Sequence, residues 1–161
     1  MITAIVQYRL PPSIDLNACA EHFRKTHLLN TGRQAVALIE RIGEPNLFVH
    51  LDTYHMNIEE KGFEEAIVAC GHHLQYIHLS ESDRGTPGTG NVAWESLFRG
   101  LARIGFVGDM VIEAFVHMHP DLARALSIWR PVAADGTAEV IGRGMPFLRD
   151  CARRHGFAMP G

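Results

Sequence analysis

The sequence predicts an α/β fold built on parallel strands, on three observations. Apolar, β-branched stretches alternate with amphipathic helical ones, each strand-then-helix unit taking roughly 25–35 residues. The strands read as near-continuous apolar runs rather than strict alternations, as expected where both faces of a sheet are covered. The third observation is length. A chain of 161 residues holds one domain on a prior of about 100–200 residues per domain, whereas a closed eight-stranded β/α barrel takes about 250. A small open sheet fits that length, and so does a barrel cut in half.

The elements follow in order. Ile2–Arg9 is apolar and β-branched and stops at Leu10-Pro11-Pro12, which predicts a strand. Asp15–Lys25 reads as a helix with Ser13 or Asp15 near its cap. From Thr31 the pattern is regular: Ala35, Val36, Leu38, Ile39 and Ile42 recur at helical spacing, and Gly43 suits the residue after the helix. Leu47–Asp52 is a short strand ending on a carboxylate. A helix is expected around Glu59–Cys70, with Phe63, Ala66, Ile67 and Cys70 inward. Leu74–Leu79 is the next strand, followed by the loop Arg84-Gly-Thr-Pro-Gly-Thr-Gly90. Trp94, Leu97, Phe98 and Leu101 mark another helix, closed by Gly105. Asp109–Phe115 reads as a strand carrying Glu113. Pro120 opens a helix expected to reach about Trp129, and a loop with Pro131 and Gly136 precedes a last helix over Met145–His155.

Composition excludes several classes. The chain is 47% apolar and 20% charged, which argues against disorder. Its net charge is −3, so it lacks the basic surface that nucleic acid requires. No apolar run approaches the ~20 residues of a membrane helix, and the start Met-Ile-Thr-Ala-Ile-Val lacks a signal-peptide pattern. Cys19, Cys70 and Cys151, odd in number and far apart, suit a reducing cytoplasm.

Three polar residues take equivalent places in successive units. Asp52 ends its strand, His78 sits near the end of the next, and Glu113 lies late in the third. Active sites of β/α folds collect at the carboxyl ends of parallel strands, and these residue types suit Mn²⁺, Co²⁺, Mg²⁺ or Zn²⁺. Other residues carry two readings. His50 shares the parity of Asp52 but equally suits a core; His72-His73 suits a solvated turn; His117 and His119 lie beyond Glu113 near the site mouth or on the surface. Arg84 suits a substrate oxygen or a pair with Asp83. The glycines at 85, 88 and 90 lack the ending of a phosphate loop, and Trp94 reads as core.

Four stretches then carry a resemblance: His50-Leu-Asp-Thr-Tyr-His-Met-Asn-Ile-Glu-Glu60, Ile77-His-Leu-Ser-Glu-Ser-Asp-Arg84, Pro87-Gly-Thr-Gly-Asn-Val-Ala-Trp94 and Val111-Ile-Glu-Ala-Phe115. They occur in order with sensible gaps and resemble the C-terminal half of a ketose 3-epimerase, of the D-tagatose/D-psicose 3-epimerase group in the xylose-isomerase-like barrel superfamily. The resemblance runs from Thr26 through Arg130. It implies a half TIM-type β/α barrel over 26–161, with Asp52, His78 and Glu113 holding a divalent metal, Mn²⁺ or Co²⁺ first and Mg²⁺ or Zn²⁺ as alternatives. It also implies that His55 and Arg84 contact a ketose sugar and that Glu113 is one of two carboxylates exchanging the proton at C3. Two are needed because epimerisation removes a proton beside a carbonyl and returns it to the opposite face, while a cation near the sugar oxygens offsets the enediolate charge.

The second carboxylate departs from that pattern. The family carries it in a Glu-x-x-Asn-Arg-Tyr-Glu-Thr-His-like stretch, where this chain reads Cys19-Ala-Glu-His-Phe-Arg-Lys25-Thr-His27. Cys19 and Lys25 stand at the two glutamate positions, and Glu21 is two positions off. Residues 1–25 instead resemble the opening strand and helix of small dimeric ferredoxin-like monooxygenase proteins, which predicts a foreign segment fused to a truncated, impaired epimerase. The alternatives are a hydroxypyruvate-isomerase-like or other sugar isomerase, and a non-catalytic fragment that binds metal or assembles. Open sheet edges in a half-barrel predict a homo-oligomer.

Overall fold

The computed structural model describes residues 29–125 and 127–158. The expected strand over 2–9, the helix over 15–25, the boundary at 25/26 and the positions of Cys19 and Lys25 lie outside the described residues.

Helix α1 spans Gly32–Ile42. Thr31 caps it reciprocally with Gln34, the Thr31 side chain accepting from the Gln34 amide and the Gln34 side chain from the Thr31 amide. Gly43 ends it at φ 73, a left-handed conformation that glycine adopts without penalty. Strand β1 is Val49–Asp52, and all four of its residues are buried. The expected single helix over 59–70 is two, α2 at Thr53–Glu59 and α3 at Phe63–Cys70. Asp52 explains the earlier start, because its side chain caps α2, and extended backbone at Glu60 and Gly62 separates the two. Strand β2 is Leu74–Leu79 and helix α4 is Trp94–Arg103. Strand β3 is shorter than expected, Asp109–Ile112, although the Glu113 amide still donates to the Leu79 carbonyl at 3.3 Å. Helix α5, Pro120–Ala125, stops short of Trp129; Ser127 already adopts φ 56, which a helix cannot continue. A helical turn at Thr137–Glu139 and a π-turn at Val140–Gly144 lead into α6, Met145–Arg154.

The three strands form one parallel sheet in the order β1-β2-β3. Register pairs His50 with Tyr76 and Asp52 with His78, then Tyr76 with Asp109 and His78 with Val111. Strand parity does the rest. Leu51, Ile77 and Leu79 are buried with Ile67 of α3 and Leu97, Phe98 and Leu101 of α4 in one apolar core. Helices α3 and α4 approach closely at Gly100, where a Cβ would stand 3.0 Å from the Glu64 Cα. The alternate positions carry His50, Asp52, Tyr76, His78, Asp109 and Val111. Of these, Asp109 and Val111 are exposed, and among the described residues no strand pairs with the outer edge of β1 or of β3. No helix among the described residues is long and apolar enough to cross a membrane.

Candidate metal centre at the strand ends

The chain turns from strand to helix at Asp52, and this fixes the carboxylate. Oδ1 accepts from the Tyr54 amide at 2.8 Å, which leaves Oδ2 facing the neighbouring strand, 3.5 Å from His78 Nδ1. On the other side, Glu113 Oε1 lies 3.4 Å from the same His78 nitrogen. One ligand atom from each of Asp52, His78 and Glu113 lies within 4.8 Å of the others. Two hydroxyls hold the three strand ends in place. Thr53 Oγ1 accepts from the Ser80 amide at 2.7 Å and donates to the Ser80 carbonyl at 2.5 Å. Ser80 Oγ in turn donates to the Glu113 carbonyl at 2.9 Å. Thr53 and Ser80 are fully buried, so no water competes for these bonds.

Arg84 reaches this centre from the loop after β2. Its Nη1 pairs with Glu113 Oε2 and lies 3.6 Å from Asp52 Oδ2, while Nη2 is 2.9 Å from His55 Nε2. The guanidinium carbon sits 4.2 Å from the centre of the Tyr54 ring and 4.4 Å from that of Phe115. Of the two readings for Arg84, the pair with Asp83 is not formed. Asp83 caps the Gly85 amide and pairs with Arg130.

Glu81 organises the loop that carries Arg84. It is fully buried. Oε1 accepts from the amides of Ser82 at 2.8 Å and Val92 at 3.1 Å, and Oε2 from the Gly88 amide at 2.8 Å and Trp94 Nε1 at 3.2 Å. Four donors complete the acceptor capacity of one carboxylate. Gly90 is required beside it, because a Cβ there would stand 2.7 Å from Glu81 Oε1.

The remaining histidines separate. His50 is buried, edge-on to Tyr76 and His78 at 4.8 and 4.3 Å between ring centres, and burial first, then the neighbouring His78, lowers its pKa to about 4. His55 is likewise lowered to about 4, chiefly by burial. His72 and His73 lie in a 3₁₀ turn after α3, and His119 is exposed and caps the Asp121 amide. His117 is exposed and stands against Gly136, where a Cβ would meet its Nε2 at 2.5 Å. Sequence reasoning missed Tyr54, Phe115 and Glu81. The first two had a signal only in adjacency, Phe115 lying two residues beyond Glu113 and Tyr54 two beyond Asp52.

A model of the xylose isomerase-like TIM barrel matches residues 16–151. The chain belongs to that family. Among curated relatives it is 46% identical over 128 residues to the ketose 3-epimerase of Arthrobacter globiformis, covering 78% of this chain and 44% of the relative. To the L-ribulose 3-epimerase of a Methylomonas species it is 35% identical over 147 residues, covering 90% and 51%. Among solved structures, the D-allulose 3-epimerase of a Methylomonas species in complex with D-allulose superposes with TM-score 0.71 at 38% identity, over 78% of this chain and 44% of that one. The D-psicose 3-epimerase of Clostridium cellulolyticum with D-tagatose gives 0.68 at 32% identity, over 81% and 45%. This xylose isomerase-like chain thus spans about half the length of the curated relatives it matches, and its three-stranded parallel sheet is part of the barrel that gives the family its name.

Proposed function

We propose that this chain carries the metal-holding half of a ketose 3-epimerase active site, with Asp52, His78 and Glu113 as ligands and Glu113 also moving the substrate proton. The observation that supports this reading is the convergence of the three groups at one end of three adjacent parallel strands. The donor set fits a divalent cation. Two carboxylates and one imidazole suit Mn²⁺ or Co²⁺, with Mg²⁺ and Zn²⁺ as alternatives, and the cap at Tyr54 commits only one Asp52 oxygen. When bound, the cation supplies positive charge that makes the proton beside a carbonyl more acidic.

The chain's own residues do the rest. Glu113 takes the C3 proton as general base. Arg84 and His55 lie beside it and hold sugar oxygens, the guanidinium by donating and the neutral imidazole through whichever ring nitrogen the tautomer leaves free. Inversion needs a second acid or base on the opposite face, and the sequence has Cys19 and Lys25 at the family's glutamate positions. The 161-residue chain therefore removes the proton and receives it back from solvent. The test is deuterium incorporation at C3 of D-allulose in D₂O, followed by NMR with added Mn²⁺ or Co²⁺. Slow, metal-dependent exchange abolished by Glu113→Gln is expected. Inversion at an ordinary enzymatic rate overturns the claim that a second group is lacking, and exchange that survives Glu113→Gln overturns the role of Glu113.

Among the described residues no strand pairs with the outer edge of β1 or β3, which favours association of two copies, and the three separated cysteines suit the cytoplasm. The substrate class this reading assigns is a ketose sugar.

A further inference from the structure

Arg84 adopts a left-handed backbone, φ 61, which a non-glycine residue keeps only where its surroundings hold it. Here its amide donates to the Glu81 carbonyl at 2.9 Å and its carbonyl accepts from the Phe115 amide at 2.7 Å. The side chain is 8% exposed, with the guanidinium carbon close to the rings of both Tyr54 and Phe115. So held, Nη1 meets Glu113 Oε2 and approaches Asp52 Oδ2, the two carboxylates of the metal centre proposed above.

We propose that Arg84 is a built-in counter-cation that competes with a divalent ion for the oxygens of Asp52 and Glu113, and that Tyr54 and Phe115 are positioning residues holding it within reach. The proposal rests on the reading of Asp52, His78 and Glu113 as ligands. Two carboxylates facing one point repel each other, and positive charge between or beside them relieves that repulsion. A guanidinium nitrogen supplies it in the metal-free protein. A carboxylate lone pair directed at a guanidinium N–H is not directed at a metal ion, so each cation weakens the hold of the other, equally in both directions. Loading the centre frees Arg84 to donate to a sugar oxygen. Both rings matter, because aromatic faces favour a delocalised guanidinium over an ammonium.

The test is Mn²⁺ binding by the full chain, read as free Mn²⁺ by electron paramagnetic resonance, together with urea midpoints in EDTA and in saturating Mn²⁺. Arg84→Gln is expected to bind Mn²⁺ about tenfold tighter, within the usual range of coupling between sites. It should be less stable than wild type in EDTA, and the gap should narrow in Mn²⁺. Tyr54→Leu and Phe115→Leu keep the charge but release the guanidinium, so they shift affinity the same way by a smaller factor. They also carry the test if Arg84→Gln fails to fold. An arginine that merely supports the loop gives weaker Mn²⁺ binding in all three variants, and that result overturns the proposal. Wild-type binding with no gain in any variant overturns it alone. Binding in no protein at all removes the metal-centre reading and this proposal together, and binding only in the variants supports the proposal in its strongest form.

Discussion

Glu81→Gln is the sharpest structural perturbation available, because it changes one atom's chemistry and almost no volume. The carboxylate accepts two N–H groups on each oxygen at a fully buried position. Whichever way a glutamine amide is turned, its NH₂ end faces two donors that have lost their acceptor. Each hydrogen bond to a charged group contributes about 1.5–3 kcal/mol, so losing two costs about 3–6 kcal/mol. For a chain of this size that is a fall in melting temperature on the order of 10 °C. The assay is urea unfolding followed by tryptophan fluorescence in a Trp129→Phe background. Trp129 is 75% exposed, and its removal leaves Trp94, whose indole N–H is one of the four donors, as the reporter. A Glu81→Gln midpoint within about 1 kcal/mol of wild type would refute the view that this carboxylate sets the loop from Ser82 to Trp94.

Thr53→Val keeps the shape but leaves the buried Ser80 amide without its acceptor; a loss of about 1–3 kcal/mol and weaker Mn²⁺ binding are expected, read by urea midpoint and metal titration. His55 is lowered to about 4, so in EDTA it should stay neutral down to that pH by NMR. Between pH 6.5 and 4 the unfolded chain then binds more protons, and stability falls as pH falls across that window; His55→Gln should flatten part of this slope. Burial pushes the Cys70 thiol up to about 12, so peptide mapping after treatment with a thiol reagent at pH 8 should find Cys70 unlabelled in the folded protein and labelled in urea. Light scattering should report a dimer or larger species over a broad concentration range, and a monomer throughout would mean the outer edges of β1 and β3 are covered within one chain.

The strand-end residues were legible because parallel strands impose a common register. Asp52 and His78 are direct partners, and Glu113 follows β3 by one residue, still bonded to β2. The helix over 32–42 was legible because its cap and its closing glycine are both local signals. What was not legible depends on contacts between distant residues. Nothing near Glu81 in sequence announces that Gly88, Val92 and Trp94 fold back to it. The partners of Arg84 come from two stretches remote from it, Asp52–His55 and Glu113, so its choice between Asp83 and the centre could not be read locally. The expected helix to Trp129 was a local inference that failed, since helical propensity in Asp121–Ala125 says nothing about the left-handed turn at Ser127.

The hydroxyl bridges from Thr53 to Ser80 and from Ser80 to Glu113 have a bearing on how such a site travels between proteins. Among the described residues, all three converging groups and the clamps that space them come from successive strand–helix units. Their geometry is therefore a property of a contiguous cassette, complete once neighbouring strands come into register. Such a cassette can be inherited, duplicated or grafted as one piece. The wall opposite would then be free to diverge, changing which sugars are admitted without disturbing how the centre is built.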